Sequence, residues 1–187
     1  MAEFTLEQLM RTGHVKRWQI VRVGREQTIA EHMYRVWIFT VHLCKALDAP
    51  QELAARAQAW ALVHDIPEVI TGDMATPMKK MIREHVPNDD PVRNIELGLS
   101  DGYRKTWSDA KQQCVINWPT AYELVKLADL LESRMFLGCE MIGNHAKAVY
   151  DEMDNIIEDH YMFLKTAYRD PEWRNIHYIL NQSWVKA

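Results

Sequence analysis

The sequence predicts an all-helical fold in a single domain over residues 1–187, and three observations carry that prediction. Apolar residues recur at steps of three and four along nearly the whole chain instead of alternating in twos, which is the spacing of a helix with one buried face. The 187 residues are 48% apolar, too apolar for a disordered chain and numerous enough to bury about 70% of the unfolded surface in one core. No Gly/Ser/Pro-rich linker divides the chain, and nothing recurs at a period of about 20–50 residues.

In chain order, Met1-Ala2-Glu3-Phe4-Thr5-Leu6-Glu7-Gln8 carries acids where an export signal would carry a basic region and an apolar core. No apolar run approaches the length of a membrane span, so a soluble, cytoplasmic protein is expected, in the host cytoplasm if the source is viral. From about 13 to 30 the helical periodicity is weak and a long loop is predicted. The stripe Val36, Phe39, Leu43 and Leu47 marks the next helix, and Asp48-Ala49 before Pro50 marks a new start. Leu53, Ala57, Trp60 and Ala61 form the following stripe. Asp90-Pro91 and Asp170-Pro171 each pair a capping aspartate with a proline near a first helical position. Leu124, Ala128, Leu131 and Met135 belong to a helix through 120–141. Gly143-Asn144 separates it from a helix through 145–169, with the stripe Tyr150, Met153, Ile156, Ile157, Tyr161, Leu164 and Tyr168. At least six helices result.

Charge and cysteine usage narrow the function. With 22 Lys plus Arg against 26 Asp plus Glu, a formal charge of -4 and a pI near 6.1, the chain lacks the basic balance that nucleic-acid polymers require. A small anionic ligand stays open. Cys44, Cys114 and Cys139 are odd in number and never spaced as CxxC, which argues against disulfides and a Cys-rich zinc knuckle.

The chemistry concentrates in Val63-His64-Asp65-Ile66-Pro67-Glu68, where a histidine and an aspartate end an otherwise apolar helix. The face Leu53, Ala57, Trp60, Ala61 continues through His64, so its imidazole points to the core or to a cleft in it. A lone histidine there is more often a core residue bonded to a carbonyl, but this one has company. His32 precedes the inward stripe of its helix by one turn. Asp129 sits within Val125-Lys126-Leu127-Ala128-Asp129-Leu130-Leu131, where an unpaired carboxylate costs several kcal/mol. His32, His64, Asp65 and Asp129 together offer two nitrogen and two oxygen donors, a set that suits Mn, Co, Fe, Ni or Zn with positions left for water and a phosphate oxygen.

The ordered pattern H, HD, D resembles the HD-domain metal phosphohydrolases, an all-α fold with the metal site between helices. The stretch from His64 to Lys79, HDIPEVITGDMATPMK, resembles the HDxxExxTGDxxTPxK signature of the YfbR-type 5'-deoxynucleotidase branch. Arg17-Trp18, 15 residues before His32, matches the RW of that branch, and the similarity runs from about residue 14 to about 135. Within the branch the chain is also similar to phage DatZ-type dATP triphosphohydrolases, through Arg17-Trp18-Gln19-Ile20, Lys79 after the TP dipeptide, and Lys126 three residues before Asp129.

The resemblance implies a divalent metal held by His32, His64, Asp65 and Asp129, with Glu68 as general base or water-orienting group. The metal is Co, Mn, Zn, Ni or Fe, with Mg in addition for a triphosphate. Asp73 is implied near the sugar or the water, or is simply a turn residue after Gly72. Arg17, Lys79 and Lys126 are the phosphate cations, and Thr76 adjoins them in the TP element. Trp18 and Ile20, two apart, would face one way in an extended loop and wall a base pocket, Ile20 refusing a purine 2-amino group, or else pack in the core. Trp37, Trp60, Tyr122 and Trp184 are assigned to packing, and His42, His85, His145, His160 and His177 to ordinary roles. Three cations beside a metal tilt the reading to dATP giving deoxyadenosine and triphosphate. The alternatives are a 5'-deoxynucleotidase acting on dNMP and, more remotely, a non-enzymatic metal-stabilised nucleotide-binding module. The resemblance also implies a homo-oligomer, while charge and hydropathy argue against membrane or nucleic-acid polymer partners.

Overall fold

A computed structural model describes residues 5–86, 110–111 and 117–167, with side chains through 163. Among these, seven α-helices and one 3-10 turn appear and no strand is formed: α1 Leu6–Leu9, the 3-10 turn Met10–Gly13, α2 Ile29–Ala46, α3 Gln51–Ala61, α4 Glu68–Thr71, α5 Thr76–His85, α6 Pro119–Glu140 and α7 Gly143–Ala167. Asp90-Pro91, Asp170-Pro171, Cys114, Tyr168, His177 and Trp184, and the side chain of Leu164, lie outside the described residues.

The helix ends follow local chemistry. The Thr28 hydroxyl accepts from the Glu31 backbone N–H and caps α2. Pro50 immediately precedes α3, and Pro77 and Pro119 stand in the first turns of α5 and α6, where a missing N–H costs nothing. Helix α6 packs most extensively on α2 and also on α3 and α7, so it lies at the centre of the bundle. The core joins Val36 and Leu43 of α2, Ala57 and Trp60 of α3, Leu124, Ala128 and Leu131 of α6, and Ile157 and Tyr161 of α7. The predicted stripes thus face inward, except that Ile156 stays 43% exposed. Among the described residues no helix is long and apolar enough to cross a membrane.

The expected loop runs from 14 to 28. It doubles back on itself, with the Arg17 N–H donating to the Gln27 carbonyl (2.9 Å) and the Ile29 N–H to the Val15 carbonyl (3.0 Å). It is also pinned to the α6–α7 junction by Gly24 N–H to the Glu140 carbonyl (2.7 Å) and Ile142 N–H to the Arg22 carbonyl (3.0 Å). A Cβ on Gly24 would stand 3.0 Å from Glu140 Oε2, which explains the glycine at this close approach. A second cluster of Val21, Leu137, Ala146 and Met153, with Trp18 against it, anchors the loop.

Two local expectations are corrected. The helix bearing the HD pair stops at Ala61, before His64, because Pro67 has no N–H and disfavours helix just ahead of it. Residues 62–67 instead turn tightly, with Val63 bonding back to Trp60, Ile66 to Val63 and Glu68 to Asp65. The loop around Trp18 is a turn and not extended: Trp18 has φ 65°, and its carbonyl accepts from the Val21 N–H at 3.0 Å. Trp18 and Ile20 therefore do not form one wall. The indole stacks on Phe136 with centroids 5.8 Å apart and planes at 4°, while Ile20 is 56% exposed.

Candidate metal centre and phosphate cavity

The site forms where the first turn of α2, the 62–67 turn and the middle of α6 converge. His32 enters from α2 and is completely buried. Its Nε2 lies 3.4 Å from Asp65 Oδ2 and 3.3 Å from Asp129 Oδ1, and His64 Nε2 lies 3.4 Å from the same Asp65 oxygen. The tight turn accounts for Asp65 and His64 reaching the same point, since neither would do so from a straight continuation of α3. The His64 ring is oriented by its Nδ1, which donates to the Ala61 carbonyl at 2.8 Å and leaves Nε2 with its lone pair toward the cluster.

His32, His64 and Asp65 form a group close enough to share one ion, Asp129 joins it through His32, and two carboxylates so placed call for a positive charge beside them. One atom each from His32, His64 and Asp65 lies within 4.8 Å of the others. Donors about 2 Å from a metal ion sit about 3–3.5 Å from each other, which is the spacing found here. His32 Nε2 is buried with no hydrogen-bond partner among the described residues, an orphan that a metal would satisfy. The electrostatics agree. Burial and Arg17 both act to lower the His32 pKa, yet the three carboxylates around the ring, Asp129, Asp65 and Glu132, outweigh them and raise it to about 10, so without a metal a proton takes the place of the ion at Nε2. Burial would raise the carboxyls of Asp65 and Asp129, but the histidines, and for Asp129 also Lys126, hold both well below the ordinary range. The pocket is made for a cation.

Glu68 opens α4, which ends at Gly72, where φ is +72° and only glycine is at ease. The carboxyl is buried. Oε1 accepts from Lys79 Nζ at 3.0 Å, and Oε2 has no hydrogen-bond partner among the described residues. Burial first, then the charge of Asp65, raises its pKa to about 8 against the opposing pull of Lys79. Such a carboxyl is poised to exchange a proton near neutral pH.

Beside the cluster lies an open cavity of about 210 Å³, lined by Trp60, His64, Asp65, Lys79, Lys111, Tyr122, Val125, Lys126 and Asp129. Lys126 approaches Asp129 Oδ2 to 3.4 Å, and its charge is stabilised chiefly by that carboxylate. Of the expected phosphate cations, Lys79 and Lys126 line this cavity. Arg17 does not: its guanidinium lies behind His32, on Gln27 (3.1 Å), Glu132 (3.3 Å) and Ser133 (3.1 Å). Trp18, Ile20 and Thr76 are also outside the lining. Asp73 follows Gly72, adding to the negative field at Glu68. Gln19 Nε2 comes within 4.0 Å of where a Cβ on Gly72 would stand, so the 18–20 turn borders this end of the site.

A family model described as 5'-deoxynucleotidase YfbR-like matches residues 4–162. The chain belongs to the YfbR-like 5'-deoxynucleotidase family. Relatives of the chain include the dATP triphosphohydrolase of Acinetobacter phage SH-Ab 15497, 30% identical over 173 residues that cover 86% of this chain and 81% of the relative. The dATP triphosphohydrolase of Cyanophage S-2L is 32% identical over 149 residues, 80% of this chain and 77% of the relative. Among solved structures, the Cyanophage S-2L HD phosphohydrolase DatZ, bound to dA and one catalytic Zn2+ ion, superposes with a TM-score of 0.77 at 28% identity over 100% of both chains. The chain is accordingly an HD-domain phosphohydrolase, and its fold is the expected helical one.

Sequence reasoning missed several residues of this site. Lys111 carries no motif and reaches the cavity only through the fold. Trp60 and Tyr122, read as packing residues, do pack, with centroids 6.4 Å apart, but also wall the cavity. Glu132 is one turn past Asp129 on α6 and 1% exposed; a second carboxylate at i+3 in an apolar run was the available signal. Gln27 and Ser133 gave none.

Proposed function

We propose that this enzyme hydrolyses the 5'-phosphate ester of a deoxyribonucleotide, with dATP as substrate and deoxyadenosine and triphosphate as products. The observation that carries the triphosphate reading is the cavity wall, in which Lys79, Lys111 and Lys126 stand around the carboxylate cluster. Three ammonium groups besides a divalent ion exceed what a monophosphate needs and match a triphosphate. Relatives at 30–32% identity that carry the dATP triphosphohydrolase name support the same choice.

His32, His64, Asp65 and Asp129 would hold the metal, Zn or another of the divalent transition ions. When bound it would supply charge to polarise the phosphate and acidify a water. Glu68 accepts a proton from the attacking water through its unengaged Oε2, while Lys79 fixes Oε1. The water oxygen bonds to the phosphorus attached to O5', the P–O5' bond breaks, and O5' departs as the sugar hydroxyl once it gains a proton. Lys79, Lys111 and Lys126 hold the departing polyphosphate. Asp73, Ile20 and Thr76 are assigned to the nucleoside end, beside the 18–20 turn. Arg17 contributes from behind His32. The reading extends to a homo-oligomer in the cytoplasm, which light scattering on the purified protein and fractionation of expressing cells test.

The family description favours a second reading, release of inorganic phosphate from dNMP. Incubating the protein with Zn, Co or Mn and either dATP or dAMP, then separating products by anion exchange, distinguishes the two. Triphosphate from dATP is expected; phosphate from dAMP alone would replace it with the second reading, and no turnover of either would refute both.

A further inference from the structure

The buried side of His32 holds a cluster that touches neither the cavity nor the lysines. Glu132 Oε2 lies 2.6 Å from His32 Nδ1, and Glu132 Oε1 accepts from Gln27 Nε2 at 2.6 Å. The Trp18 indole N–H donates to Gln27 Oε1 at 2.8 Å, and Arg17 Nη1 reaches Glu132 Oε2 at 3.3 Å. Glu132 is 1% exposed, and His32 and Gln27 are completely buried.

The geometry settles which way the imidazole is protonated. A carboxylate only accepts, so an oxygen 2.6 Å from a ring nitrogen requires a proton between them, and Nδ1 is the donor. Arg17 Nη1 also lies 2.6 Å from Nδ1 but can only donate, and it has Gln27 and Glu132 as acceptors instead. With Nδ1 committed to Glu132, Nε2 is the nitrogen that turns to Asp65 and Asp129 and offers its lone pair to a metal that displaces its proton. A buried carboxylate in this position fixes the ring and raises the basicity of the far nitrogen. Glutamate is costly at such a site unless several donors hold it, and here Gln27, Arg17 and His32 all do.

We infer that Glu132 is a positioning residue for the metal: through its contact with His32 Nδ1 it sets the ring orientation and tautomer that let Nε2 bind the ion, and the chain Trp18–Gln27–Glu132 holds it in place. The inference rests on His32 being a metal ligand, as proposed above, but not on the substrate.

The test is the metal affinity of metal-stripped protein, measured for Zn and Co by competition with a chromophoric chelator, for wild type, Glu132→Gln and Glu132→Ala. Expected is a loss of about 10–100-fold in affinity for Glu132→Ala and a smaller loss for Glu132→Gln, whose amide oxygen still accepts from Nδ1, with helical circular dichroism retained. A residue that merely supports the fold would lower the melting temperature and leave the affinity of the folded protein unchanged. Unchanged affinity in both variants would therefore overturn the inference. Loss of helical structure in both would overturn it as well, reassigning Glu132 to the core. Failure of the nucleotide assays alone would leave these affinities untouched, so the two readings fail separately.

Discussion

Two polar clusters flank the same imidazole, and they obey opposite rules. Behind Nδ1 of His32, Glu132, Gln27 and Ser133 are buried, Arg17 keeps only 13% of its side chain exposed, and hydrogen bonds link the four. Ahead of Nε2, Asp65 and Asp129 keep 22% and 23% of their side-chain surface exposed, Lys126 keeps 49%, and Nε2 itself has no hydrogen bond among the described residues. Folded proteins satisfy buried polar groups almost without exception. Where one nitrogen of a ring is satisfied and the other is not, the unsatisfied side is the one kept for a ligand. The contrast separates the groups that hold the site from those that act in it.

The sharpest way to break this contrast is to remove a group from the acting side. His64→Ala should abolish metal binding and cut kcat/KM by about 10³-fold or more, since a metal ion supplies several kcal/mol to the transition state. The fold should stay intact by circular dichroism. Chelation should copy the effect and re-addition of Zn or Co reverse it. Next comes Glu68→Gln, expected to lower kcat by about 10²–10⁴-fold with metal content unchanged, as measured by turnover and elemental analysis.

The same substitution has a second signature in metal-free protein. The folded carboxyl of Glu68 keeps its proton up to about pH 8, whereas the unfolded one ionises near 4.5. Between those values the unfolded state binds fewer protons, so this group makes stability fall as pH rises, and the slope levels off above 8. Urea denaturation of the metal-free protein from pH 5 to 8 should show that decline, and Glu68→Gln should flatten it. An equal slope in both proteins would remove Glu68 from the acting side.

On the holding side, stability and not turnover is the readout. Arg17→Leu withdraws a cation from the buried Glu132 and should cost about 3 kcal/mol by urea denaturation of the metal-free protein.

Much of this arrangement was legible in the sequence. The stripes through Val36, Ala57 and Leu124 gave the helices and their inner faces, because period alone decides which side of a helix is buried. The H, HD, D pattern pointed to the four residues proposed as metal donors, which the fold does bring together, because an aspartate in an apolar run needs a partner. What stayed hidden depended on chain reversal and on long-range contact. The stop of α3 at Ala61 hinges on how Pro67 reshapes six preceding residues. The turn at Trp18, with its positive φ, is set by Phe136 and Gln27, neither of them a sequence neighbour. Lys111 reaches the cavity from a segment with no motif, and the place of Arg17 behind His32 follows from α6, more than a hundred residues on.

The smallest expected effect is the control that gives the comparison its meaning, and it comes from the residue next to Arg17. Lys16 pairs with Glu26 at 2.5 Å, a closer contact than Arg17 makes with Glu132, but both partners are more than half exposed. Exposed pairs gain little, since water screens the attraction and two long side chains must be ordered. Lys16→Ala should therefore change unfolding free energy by no more than about 0.5 kcal/mol in the same urea experiment. If adjacent cations differ this way, burial and not ion-pair distance decides what each contributes. Equal costs at 16 and 17 would mean that water reaches Glu132, and the division of His32 into a holding face and an acting face would fall.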